Sequence, residues 1–236
     1  MTAVADVAFG SAWPRATPPR WATALAAVSL GVFGVLSSVY WFAGEGTYRD
    51  LMRGTGPVTL GVDGATWTLN EEALVSLHRE TLRYLLDLAS ELPRGPDGGP
   101  VFDAAERSHM ADVKGVFRAV GIAWIVSGAL LGALVVRGRL RGYLALMMRD
   151  AATLAGSAVL VLALVAAVAF VPAFLLFHQV FFPQGNFLFD PATSDLLRVY
   201  PEHYWYGVTL RVFGGFCALS LIVAGALTLW LRSARS

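Results

Sequence analysis

Residues 153–177 read TLAGSAVLVLALVAAVAFVPAFLLF, with no charged side chain from Thr153 to Phe177. A bilayer core of about 30 Å is crossed by about 20 helical residues, so this run is long enough to span it. Three further runs have the same character: about Trp21 to Ala43, about Gly115 to Val136 and about Gly207 to Leu231. Composition points the same way. The 236 residues are 56% hydrophobic and only 15% charged, with a mean hydropathy of +0.58, whereas a soluble domain is roughly 45–50% apolar and about 25% charged. The expected fold class is an all-α membrane protein, residues 1–236 forming one integral membrane domain with four transmembrane helices. A formal net charge of +1 provides no basic field for nucleic acid. A single cysteine, Cys217, excludes an internal disulfide framework and any multi-cysteine metal site.

Within the spans, Gly31, Gly34, Gly128, Gly132, Gly214, Gly215 and Gly225 supply the small residues that close helix contacts use. Pro172 predicts a kink or an opening near the end of the third span. Trp21, Trp41, Trp205 and Trp230 fall at span ends, where an aromatic belt belongs. The first apolar run is too long for the core of a cleaved signal peptide and reads as an uncleaved span.

Orientation follows from arginine. Arg137, Arg139, Arg141 and Arg149 crowd the short link between spans two and three, and Arg15, Arg20, Arg232 and Arg235 flank the ends. Residues 44–114 and 178–206 carry more acidic than basic side chains. Both termini are therefore expected in the cytoplasm and the two longer segments outside, in a multi-pass protein of the cell membrane.

The first outer segment opens irregularly, broken by Gly54, Gly56, Pro57, Gly61 and Gly64. Asn70 then reads as a helix N-cap, with Glu71 and Glu72 at the positive end of the macrodipole. This outer amphipathic helix is expected to run to Leu92, before Pro93, Gly95 and Pro96. Leu74, Leu77, Leu82, Leu85, Leu88 and Leu92 share one broad face. His78 lies in the middle of that face, either as a core histidine with one hydrogen-bond partner or as a lid residue pointing at a site.

The stretch from Val101 to Phe117 is expected to run as a helix straight into span two. Glu106, His109 and Asp112, spaced three apart, share one face just before the membrane. One reading makes them a solvated collar paired with Lys114; the other makes them functional, because ionisable groups are costly where the chain meets lipid. His178 is the first ionisable residue after the uncharged run of span three. Around it Phe181, Phe182, Phe187 and Phe189 are apolar, yet Pro183, Gly185 and Pro191 stop a continuing helix. An aromatic re-entrant or lining loop is expected there.

His109, His178 and Asp112 meet at one leaflet if spans two and three are neighbours. A histidine oriented by a carboxylate moves protons near neutral pH. No serine, threonine or cysteine stands in a nucleophile setting, so direct attack of one substrate group on another fits better than a covalent acyl-enzyme. The main rival is a metal-dependent membrane hydrolase, since Glu106-x-x-His109 with Asp112 and His178 offers ligands for zinc or iron. A non-enzymatic membrane protein whose aromatic loop grips acyl chains is a third reading. Arg211, about one turn inside span four, reaches either phosphates or a substrate carbonyl.

The motifs SHMADVKGVF and FHQVFFPQGNFLFDP, followed by Asp195-Leu196 and Tyr200-Pro201, resemble those of the bacterial lipoprotein intramolecular transacylase (Lit) family. That family has four spans, a pattern close to H-M-x-D-V-K before span two and one close to F-H-x-x-F-F-x-x-x-x-W-x-F-x-P after span three. His109, Met110, Asp112, Val113, His178, Phe181, Phe182, Phe189, Pro191 and Asp195 fall on motif positions, and Phe187 stands where the family more often has tryptophan. The resemblance implies that the sn-2 acyl chain of a diacylglyceryl group moves to the α-amino group of the N-terminal cysteine, giving a lyso-form lipoprotein. It implies His109 and His178 as catalytic residues with Asp112 steering His109. His109 would be the base and His178 the group that stabilises the oxyanion or protonates the alkoxide; the opposite assignment fits the same residues. Met110, Phe181, Phe182, Asn186, Phe189, Asp195 and Arg211 are the expected substrate contacts. Diacylglyceryl-modified lipoproteins and membrane lipids are the expected partners, with no metal or other cofactor.

Overall fold

A computed structural model describes residues 16–62 and 64–234, so Arg15 and Arg235 of the orientation argument lie outside the described residues. Four helices are long and apolar enough to cross a membrane: α1 (Arg20–Phe42), α4 (Ala104–Arg141), α5 (Leu144–Val168) and α8 (Glu202–Ser233). Between them stand α2 (Glu45–Met52), β1 (Val58–Val62), β2 (Ala65–Leu69), α3 (Glu71–Leu85), α6 (Phe170–Phe181) and α7 (Asp195–Val199). The chain is a helical, multi-pass membrane protein, as its composition demanded.

The expected third span, 153–177, is not one helix. It begins earlier, at Leu144, and breaks at Ala169, whose φ of −136° and ψ of 46° leave the helical region. Pro172 explains the position of the break. Lacking an N–H, it cannot bond back to residue 168, but it is tolerated in the first turn of a new helix, where N–H groups have no intrahelical partner. Helix α6 therefore restarts just before it and carries His178 near its end.

The described residues form two compact units. The first comprises residues up to 37, 123–162 and 213 onward. Its core packs Ala22, Ala26 and Ala27 against Leu134, Tyr143, Met147 and Ala151. Gly34 lies directly against the Phe216 ring and Gly128 against Phe33, so a side chain at either would collide. Gly132, Gly214 and Gly225 have no such neighbour. Those three do not mediate contacts among the described residues.

The second unit comprises 38–122 and 163–212. Where the sequence predicts only irregular chain, β1 and β2 pair antiparallel from Val58 opposite Leu69 to Val62 opposite Ala65. Leu60 and Val62 point inward, and Gly64 (φ +86°) turns the hairpin. Asn70 caps α3 as expected, accepting from the Ala73 N–H at 3.0 Å. The helix ends at Leu85 rather than Leu92, because Asp87 adopts a left-handed φ of +59° and the N–H groups of Leu88 and Ala89 turn back to the Arg83 carbonyl. Its buried face is Leu74, Val75, Leu77, His78 and Thr81, while Leu88 is exposed.

Candidate active site

Helix α4 starts with a reciprocal cap. The Glu106 N–H donates to the Asp103 carboxylate (2.8 Å), and the Asp103 N–H donates to Glu106 Oε2 (3.0 Å). Glu106 Oε1 then accepts from Ser194 Oγ (2.6 Å) and the Leu196 N–H (2.8 Å). Glu106 is 1% exposed, and both its carboxylate oxygens are committed: Oε2 to the cap of α4, Oε1 to the start of α7. The ligand set expected for a metal hydrolase thus loses its carboxylate at 106. Among the described residues, no three His, Cys, Asp or Glu side chains converge as a metal site requires.

One turn further along the same face, His109 is buried. Its ring meets Phe182 at 4.7 Å and Phe189 at 5.6 Å between ring centres, and the His178 ring lies 6.0 Å away, 24° from parallel. His178 in turn is surrounded by Phe174 (4.2 Å), Phe177, Phe182 and Phe187. Its Nδ1 bonds the Phe174 carbonyl at 2.8 Å. A carbonyl only accepts, so that nitrogen carries a proton and the neutral ring keeps its lone pair on Nε2. Two imidazoles inside an aromatic sleeve can hand one proton to a substrate and take one back.

A third turn brings Asp112 to the loop after α6. Its Oδ2 accepts from Gln184 Nε2 (2.9 Å) and Asn186 Nδ2 (2.6 Å). The carboxylate therefore grips the loop rather than His109 itself. The Asn186 side chain neighbours the His109 ring, and His109 Nδ1 and Asn186 Oδ1 are both buried without a hydrogen-bond partner. His109 precedes the apolar stretch that begins near Gly115. Burial, followed by the neighbouring His178, pushes its pKa down to about 4, against the opposing pull of Asp112 and Asn186. The imidazole is neutral at physiological pH.

Glu106, His109 and Asp112 do share one face, and the segment 182–196 lies along it. The solvated collar with Lys114 does not form: Lys114 is 8% exposed, pairs with Asp87 at 3.0 Å and lies over the Tyr84 ring. Arg118 also pairs with Asp87. Among the expected substrate contacts, Phe182 and Phe189 flank His109, whereas Phe181 is nearly half exposed and packs at a tilt against Phe177. Met110 sits in the core with Tyr48 and Leu74. Asp195 is 2% exposed, accepting from the Gly61 N–H (2.7 Å) and Arg198 (2.6 Å), which joins the hairpin to α7. Arg211 pairs with Asp50. His78 is a core histidine with two partners, the Ala43 carbonyl (2.9 Å) and the Tyr200 hydroxyl (3.2 Å), stacked on Tyr48. Sequence reasoning passed over Gln184, Phe174 and Ser194. Gln184 and Ser194 are polar residues in a loop whose partners are set only by folding, and Phe174 looks like any other span residue.

The family described as lipoprotein intramolecular transacylase Lit matches residues 24–205 of the chain. Among solved structures, the membrane-integral lipoprotein intramolecular transacylase Lit of Bacillus cereus superposes with a TM-score of 0.70 at 16% identity, covering 92% of this chain and 97% of that one. A variant of the same protein with a histidine-to-arginine substitution superposes with a TM-score of 0.63 at 14% identity, over 92% and 93% of the two chains. No curated protein sequence matches significantly.

Proposed function

The chain belongs to the lipoprotein intramolecular transacylase Lit family, and from that premise we propose that it moves the sn-2 acyl chain of a diacylglyceryl-modified lipoprotein to the α-amino group of the N-terminal cysteine, with His109 and His178 as its acid–base pair. The observation that carries this reading is the pairing of the two histidines, 6.0 Å apart in an aromatic sleeve.

The chemistry needs little else. The free amine attacks the ester carbonyl, an N–C bond forms, and the C–O bond to the glycerol oxygen breaks. One proton leaves nitrogen and one arrives at oxygen, so no net proton is consumed. His109, neutral and buried, is the base. His178, held through Nδ1 on the Phe174 carbonyl, presents Nε2–H when protonated and serves the oxyanion or the leaving alkoxide. Because amine and ester belong to one molecule, proximity supplies much of the rate. Phe182 and Phe189 beside His109 support an acyl-chain contact, as does Phe187 beside His178. Arg137, Arg139, Arg141, Arg149 and Arg232 support a cytoplasmic placement of both termini and an outward-facing site.

The test is mass spectrometry of lipoprotein N-terminal peptides from cells with and without this chain. The expected result is an N-acyl, S-monoacylglyceryl peptide only where the chain is present. An unchanged acyl position sinks the reading.

A further inference from the structure

We propose that Asn186 is a positioning residue that sets the tautomer of His109, as the middle link of a chain running from Asp112 through Asn186 to His109. This deepens the transacylase reading and rests on it for its catalytic consequence.

The orientation of the Asn186 amide follows from its partner. An ionised carboxylate only accepts, so the NH₂ group must face Asp112, which it meets at 2.6 Å. The planar amide then aims Oδ1 away from that contact, into a place where it is buried without a partner. His109 Nδ1 is the ring nitrogen left over in the same way, and Asn186 pulls the ring's pKa upward, the direction a neighbouring acceptor gives. A buried carbonyl oxygen and a buried ring nitrogen, each unsatisfied, are costly apart and satisfied together. Pairing the two puts the proton on Nδ1 and leaves Nε2 as the basic atom.

The loop is built to hold this geometry. Phe182, Pro183, Gln184 and Gly185 form a turn closed by the Gly185 N–H on the Phe182 carbonyl at 3.0 Å. Gly185 adopts a φ of +80°, open to glycine at little cost. The amides of Gln184 and Asn186, on either side of it, both reach Asp112 Oδ2. The titratable groups acting on His109 are Asp112 from its own helix and His178 from α6. Since His178 Nδ1 is likewise tied to a carbonyl, both rings offer Nε2 to the substrate.

The test uses the full chain, ¹⁵N-labelled at histidine, in detergent. Nitrogen NMR at neutral pH should find His109 protonated at Nδ1 in the native protein. Asn186→Ala should lose that preference and lower kcat on the order of 10²-fold, at the small end of what proton transfer contributes, with KM changed little. The double variant Asp112→Asn with Asn186→Asp keeps a donor facing an acceptor between the two positions and places a carboxylate against His109. It should recover activity relative to Asn186→Ala, with the acid limb of kcat/KM moved to higher pH than in the native protein. His109 protonated at Nε2 in the native chain, or a tautomer indifferent to Asn186→Ala, overturns the proposal. If the tautomer depends on Asn186 but the native chain transfers no acyl group to a diacylglyceryl lipopeptide, the chain of contacts stands and the transacylase reading falls.

Discussion

The imidazoles of His109 on α4 and His178 on α6 lie 6.0 Å apart and 24° from parallel, with Phe182 touching both rings. Two full charges at that distance repel by about 3 kcal/mol at an effective dielectric of about 20. The repulsion disfavours a second proton once one ring is charged, so the pair carries no more than one proton as it passes from amine to alkoxide.

Replacing either ring should show that the two act as a unit. His109→Gln and His178→Gln are each expected to lower transacylation of a diacylglyceryl lipopeptide by 10²-fold or more, roughly the contribution of positioned acid–base groups. The double variant should lose little beyond the worse single one. Mass spectrometry of acyl position over time reads this. Independent, multiplying losses would show that the rings serve separate steps.

Glu106 should behave as a structural residue. Glu106→Ala strands the Ser194 hydroxyl and the N–H groups of Leu196 and Asp103, each a loss of roughly 1–3 kcal/mol when buried. Thermal unfolding in detergent should show a clear drop in Tm. Treating the native protein with a chelator should leave activity intact; its loss, with restoration by zinc or iron, would revive the metal reading.

His78 makes stability depend on pH. Burial pushes its pKa down to about 4, with the Ala43 carbonyl and Glu45 opposing. The unfolded chain binds this proton below about pH 6.5, and the folded chain does not until about 4. Stability is therefore complete above 6.5 and falls as pH drops toward 4, at up to about 1.4 kcal/mol per pH unit for one group. His78→Gln should be less stable at pH 7 yet show a flatter dependence of Tm on pH between 6.5 and 5. An unchanged slope would place the effect elsewhere.

Asp195 should matter for the hairpin. Asp195→Ala removes the acceptor of the Gly61 N–H and the partner of Arg198. Limited proteolysis around residues 53–62 should speed up, with acyl transfer reduced only as far as the fold loosens. Faster cleavage at that hairpin is the outcome that supports a tie; unaltered cleavage rules it out.

Some of the site was legible because its logic is local. The spacing of Glu106, His109 and Asp112 on one helix face needs only 3.6 residues per turn, and α4 keeps it. The hairpin had a signal too: β-branched Val58, Thr59, Val62, Thr66 and Thr68 flank Asp63-Gly64, a dipeptide typical of tight hairpin turns. The early end of α3 had none. It depends on Asp87 being held by Lys114 and Arg118 from another helix, and no local propensity encodes that.

From the sequence by itself came the membrane, the four crossings and the two histidines, because hydropathy and helical period are properties of a chain segment and its solvent. Tertiary structure alone decided what each polar group touches. It turned Glu106 into a cap and brace, gave His78 to the core and drew Asp112 to the loop amides. The physical reason is that a buried carboxylate or imidazole takes whichever donors and acceptors folding brings within about 3 Å. For Glu106 and Asp112 those partners lie 72 to 90 residues away along the chain.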